Sequence, residues 1–110
     1  MKLTTLAALG LCVAAATTTV RAGDAAANWN ADCMQYHGKT GAADTKMGQK
    51  LNAKDLTDPK VQASFTDAEA AKAIKEGIKE NGRTMMKAFG DKLSDADIKA
   101  LVSYVRGLKK

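Results

Sequence analysis

The sequence predicts an all-α fold, and three features predict it. Strong helix-capping patterns recur, apolar residues follow them at helical spacing, and no stretch alternates with the period of two that marks a strand. The pattern gives three main helices, one short helix and two long loops, with no sheet. Loops of that length without structure of their own are unusual in a compact domain, and they make sense where they wrap a flat ligand.

The elements follow in order. Lys2 and an apolar run of 11 residues, from Leu6 to Ala16, precede Val20-Arg21-Ala22. This is the pattern of a cleaved export signal and is too short for a comfortable membrane span. Residues 1–22 therefore read as a signal peptide and residues 23–110 as one small domain. Leu11 before Cys12 does not suit a lipid-anchored cleavage site. Asp24 opens a first helix over residues 25–36, which carries Trp29 and is broken by Gly38-Lys39-Thr40-Gly41. Residues 41–58 read as loop, with Met47, Leu51 and Leu56 as isolated apolar anchors. Asp58-Pro59 is an N-cap followed by a first helical residue and opens a short helix to about Ser64.

Thr66-Asp67-Ala68-Glu69 is a capping box, with Phe65 before it as a hydrophobic staple to Ala70. Ala70, Ala73, Ile74, Gly77 and Ile78 continue at helical spacing, and Asn81-Gly82 is read as the stop. Residues 82–93 form the second loop and hold Met85, Met86 and Phe89. Ser94 opens the last helix, whose apolar face is Ile98, Leu101, Val102 and Val105.

Composition shows what the domain lacks. Residues 23–110 contain 13 Leu, Ile, Val and Phe, below the roughly 20% at which a chain begins to look unable to build a core. Good helices with so few large side chains suit a domain that folds around a buried cofactor. The same segment holds 15 Lys and Arg against 12 acids, well mixed, with no polybasic block and no aromatic-basic interleaving. Nucleic acid is a poor partner on that ground. Cys33 is the only cysteine left after export, so no internal disulfide forms, and a lone exported thiol invites covalent capping.

The chemistry concentrates in Cys33-Met34-Gln35-Tyr36-His37, one residue away from C-x-x-C-H, the attachment signal for c-type haem. In that signal two thiols bond the two vinyl groups, and the adjacent imidazole is held under the iron. Here Cys33 can make one thioether and His37 can reach the iron, while Tyr36 stands where the second thiol belongs. Zinc needs more sulfur and nitrogen ligands than one Cys and one His provide. A Cys–His nucleophile pair lacks a third group to orient the base. A distal sulfur is available in Met86-Lys87-Ala88-Phe89-Gly90. Met85, Met47 and Met34 compete for that role, although Met34 lies inside the attachment turn and is sterically poor.

With both ends in place the chain resembles a class I c-type cytochrome of the small bacterial c5, c6 and c553 kind. The resemblance runs over nearly all of residues 23–110. It is carried by Asn30 to Gly38, Gly41, Asp55-Leu56-Thr57-Asp58-Pro59, Phe65-Thr66-Asp67, Gly82 to Phe89 and Leu101-Val102-Ser103-Tyr104-Val105-Arg106. It implies a cytochrome c-like fold: three main helices plus one short helix wrapped around a haem, with Trp29 or its neighbours crossing Leu101, Tyr104 and Val105. In the family a Met-Pro-Ala-Phe loop gives the distal sulfur. Met86-Lys87-Ala88-Phe89 aligns with it, which implies Met86 as the ligand and Lys87 in place of the proline.

The site implied is Cys33, Tyr36, His37 and Met86 around the cofactor, with His37 and Met86 on the metal. The cofactor is haem c with its iron, held by the single thioether of Cys33. The function implied is periplasmic electron transfer, not enzymatic. Redox protein partners are implied, with lysines such as Lys39, Lys46, Lys50, Lys87 and Lys92 favouring an acidic one. No membrane span remains after signal cleavage. Two other readings stand beside it: a haem protein with a labile distal ligand that binds gas or reacts with peroxide, and a haem-free helical binding module.

Overall fold

The computed structural model describes residues 24–110, so the signal-peptide reading of residues 1–22 and the domain boundary after them lie outside the described residues. The chain opens with a continuous helical run: α1 (Ala25–Asn28), a π-helical turn (Trp29–Cys33) and α2 (Met34–His37). The π turn is closed by the Met34 N–H donating to the Trp29 carbonyl, five residues back. Such turns recur where a helix carries function. Gly38, at φ 83°, ends the run, as the Gly38-Lys39-Thr40-Gly41 break anticipated.

The segment read as the first loop contains a helix. α3 (Lys46–Lys50) is capped by Thr45, whose hydroxyl accepts from the Gly48 N–H at 2.9 Å and donates to the Tyr36 carbonyl at 2.7 Å. A Cβ at Gly48 would overlap that same carbonyl, so the glycine is what lets α3 dock on α2. Five residues are too few for apolar periodicity to reveal a helix. α4 (Pro59–Ala63) starts as read, with the Asp58 carboxylate accepting from the Lys60 N–H at 2.8 Å.

α5 (Asp67–Glu76) has the anticipated capping box, in which Thr66 and Glu69 each accept from the other's backbone N–H at 3.0 Å. These bonds hold the exposed Glu69 carboxyl below its usual range. The helix ends sooner than the sequence suggested. Gly77 turns to φ 76°, and Ile78 leaves the helix to begin a strand.

The expectation of no sheet is corrected here. β1 (Ile78–Glu80) and β2 (Arg83–Met86) form an antiparallel hairpin, pairing Glu80 with Arg83, Lys79 with Thr84 and Ile78 with Met86. Asn81 and Gly82, both at positive φ (53° and 75°), are its two-residue turn and not a helix stop. The strands are too short for alternation to show, and the Asn-Gly pair carried the signal instead. α6 (Asp95–Arg106) is capped by Ser94, with Asp97 completing a second capping box.

The helical elements cross as the resemblance implied. Trp29 and Leu101, each 1% exposed, are the most deeply buried large side chains, and the Trp29 and Tyr104 rings lie 5.4 Å apart. α6 also ties down α4 and the start of α5. The Arg106 guanidinium donates to the Gln62 carbonyl, the Gln62 Oε1, the Phe65 carbonyl and Asp67, and lies 4.4 Å from the Phe65 ring centroid. Buried Gln62 in turn donates to the Leu56 and Val105 carbonyls, at 2.6 and 2.9 Å.

Lysine cannot reproduce this fork. Arg106→Lys is expected to cost about 2 kcal/mol of unfolding free energy, because an ammonium cannot serve the Gln62 and Phe65 carbonyls, Gln62 Oε1 and Asp67 together and at least one backbone carbonyl loses its partner. Urea denaturation followed by far-ultraviolet circular dichroism measures it. An unchanged midpoint would show the clamp to be unimportant.

Candidate functional site

A single face of the first helical run carries Trp29, Asp32, Cys33, Tyr36 and His37, the i, i+3, i+4, i+7, i+8 stripe of an amphipathic helix. All five border a cavity of about 620 Å³, within the range that takes a cofactor. Leu56 and Phe65, Ala70, Ala73 and Ile74 of α5, and Leu101 and Val105 of α6 give it apolar walls. The hairpin supplies another wall through Ile78, Glu80, Arg83, Thr84, Met85 and Met86. The gap in the core that composition foretold is therefore a real space, placed beside the Cys–His segment.

His37 is half-buried, and the desolvation lowers its pKa, which favours the neutral ring. A neutral imidazole is the form that binds metal. Its Nδ1 is fully buried and has no hydrogen-bond partner among the described residues. The His37 carbonyl accepts from the Ala43 N–H at 2.8 Å, which ties the following loop to the helix end. The Trp29 ring lies 5.6 Å from the imidazole, tilted by 33°, and its indole Nε1 is likewise buried and without a partner among the described residues.

Cys33 is a free, buried thiol. Burial, and secondly the charge of Asp32, push its pKa up to about 11. At neutral pH it is a protonated thiol, with little of the thiolate that reacts with oxidants. Tyr36 follows three residues later on the same face and borders the same cavity.

The methionines separate. Met34 packs against the core cluster and does not border the cavity, whereas Met47, 44% exposed, does border it. Met85 and Met86 both reach the cavity from β2, and Met86 alone of the two packs against the core cluster. The chain after Met86 is pinned to α5: Phe89 and Gly90 N–H groups donate to the Ile74 and Lys75 carbonyls at 2.9 and 3.0 Å, satisfying acceptors that a helix end leaves open.

Gly77 makes this fit possible. A Cβ there would lie 2.5 Å from the Met86 carbonyl oxygen, and the residue sits at φ 76°. Gly77→Ala is expected to destabilise the domain by about 2 kcal/mol and to displace Met86. Thermal unfolding checks the first effect and the visible spectrum the second; a variant matching the wild type in both would refute it.

One polar pair was not legible in the sequence. Asp32, 7% exposed, receives the Lys92 ammonium at 2.5 Å across 60 residues of chain. Lys92 was read as a docking charge, and it is committed to Asp32. Lys50 and Lys87 do border the cavity, together with Lys54 and Arg83. No local pattern could have paired residues 32 and 92, and only the helix crossing brings them together.

Comparison with known proteins decides the family. The family model described as cytochrome c oxidase, cbb3-type, subunit III matches residues 20–105. The chain belongs to the class I c-type cytochromes. The solved structure of the KustC0563 c-type cytochrome is 36% identical to this cytochrome, with a TM-score of 0.67, covering 74% of this chain and 93% of that one. A Tyr-to-Phe mutant of Kustc0563 is 34% identical, again with a TM-score of 0.67, covering 78% and 99%. No curated protein matches the chain.

The cytochrome's cofactor is therefore haem c with its iron, and the fold is that of an all-α cytochrome c with one small hairpin added. The site fits that group. It offers an apolar cavity, a neutral imidazole, a thiol one helical turn before it and a thioether sulfur on another element. Among the described residues, no helix is long and apolar enough to cross a membrane.

Proposed function

We propose that this cytochrome is a periplasmic electron carrier whose haem is attached through Cys33 alone and ligated by His37 and Met86. The observation that carries the reading is that Cys33, Tyr36, His37 and Met86, drawn from two distant segments, all border one apolar cavity. The haem iron supplies a one-electron couple. Cys33 would hold the ring through a single thioether. His37 presents a neutral nitrogen, backed by the Trp29 ring. Met86 presents a soft sulfur from the base of the hairpin, and a His/Met pair favours a raised potential.

With His37 and Met86 both holding the iron, no open position would be left for a substrate, which suits a carrier more than an enzyme. Lys50, Lys54, Arg83 and Lys87 around the cavity suit a redox partner with an acidic docking face. The leading segment, residues 1–22, suits export before haem attachment. The reading is tested by adding carbon monoxide to the reduced, exported protein. An unchanged spectrum is expected of a closed, six-coordinate iron. A rapid shift would replace this reading with that of a labile distal ligand.

A further inference from the structure

Burying a carboxylate beside a redox centre has an electrostatic consequence. Asp32 immediately precedes Cys33, borders the cavity and is 7% exposed, while its partner Lys92 is 63% exposed. The two charges are equal in size and unequal in surroundings. The acid sits in the low-dielectric wall, and the ammonium reaches solvent and is screened by it. The pair is therefore not neutral as felt from inside the cavity, where the negative end dominates. A negative charge favours the oxidised, more positive iron over the reduced one.

We propose that Asp32 sets the reduction potential of the cytochrome, holding it down, and that Lys92 limits this effect by neutralising part of the charge. The inference rests on the haem occupying the cavity as proposed above. It assigns a role to a residue that neither bonds nor ligates the cofactor. A purely mechanical role is the rival: the same ion pair joins the attachment helix to the segment leading into α6, and loss of either partner would loosen that joint equally.

The signs separate the two. The potential is measured by spectroelectrochemistry at pH 8 on the holoprotein and on Asp32→Asn, Lys92→Gln and the double variant. Asp32→Asn is expected to raise the potential and shift the ferric-to-ferrous ratio at fixed potential about tenfold toward ferrous, equivalent to about 59 mV for one electron. Lys92→Gln is expected to lower the potential, and the double variant to lie between the two singles. Lys92→Arg, which keeps the charge, is expected to stay near the wild type.

Single variants that move the potential in the same direction, or not at all, would overturn the inference and leave the pair a clamp. Because Lys92 is largely exposed, its substitution is the safer arm should Asp32→Asn fold poorly, and an unmoved potential in Lys92→Gln is sufficient to refute it. Colourless preparations of the wild type as well as the variants would instead defeat the underlying haem reading, so the two failures are distinguishable.

Discussion

Exported Tyr36→Cys protein is expected to hold its haem by two thioethers. The substitution restores C-x-x-C-H at a side chain that already borders the cavity, three residues after Cys33 on the same helical face. Addition of the introduced thiol across the second vinyl group saturates a double bond conjugated with the ring. The reduced absorption bands therefore move to shorter wavelength. Mass alone does not distinguish one link from two, because the addition loses no atoms. Alkylation of the unfolded protein does. No free thiol should remain, whereas one alkylated thiol and unmoved bands would show that the second vinyl lies out of reach of position 36.

Met86→Ala is expected to open the iron. On the proposed ligand set, loss of the thioether would leave His37 as the only protein ligand to the iron, so the reduced protein should bind carbon monoxide with a rapid spectral shift that the wild type lacks. The affinity change is at least tenfold, because a vacant position replaces one that an internal ligand holds. Met85→Ala should behave as the wild type, since Met86 is the residue packed against the core at the hairpin base. Carbon monoxide titration of both variants measures this. Binding by Met85→Ala and not by Met86→Ala would exchange their roles.

The legible parts of this molecule were those encoded locally. The capping box at Thr66 and Glu69, the Asp58-Pro59 start and the apolar face of α6 each place their information within a few residues, and the structure matches them. The Cys33-to-His37 motif, singled out by its spacing, does border the cavity. The shortage of large apolar residues corresponds to the cavity beside Cys33 and His37.

What escaped was short or distant. α3 has five residues and draws its stability from Thr45 reaching the Tyr36 carbonyl, a contact between separate segments. The hairpin escaped because Ile78 continued the apolar period of α5, while Gly77 broke the helix through a backbone angle that the period does not encode. The Asp32–Lys92 pair depends on how the first helical run and the approach to α6 come together. The family resemblance supplied the crossing of Trp29 with Tyr104, which periodicity alone did not specify.

The most direct measurement is the mass of the exported protein after acid denaturation and thiol alkylation, beside Cys33→Ser. The account predicts a wild-type chain carrying one haem with no alkylated thiol, and a Cys33→Ser chain with none. A wild-type chain at its unmodified mass, with Cys33 alkylated once, would contradict it.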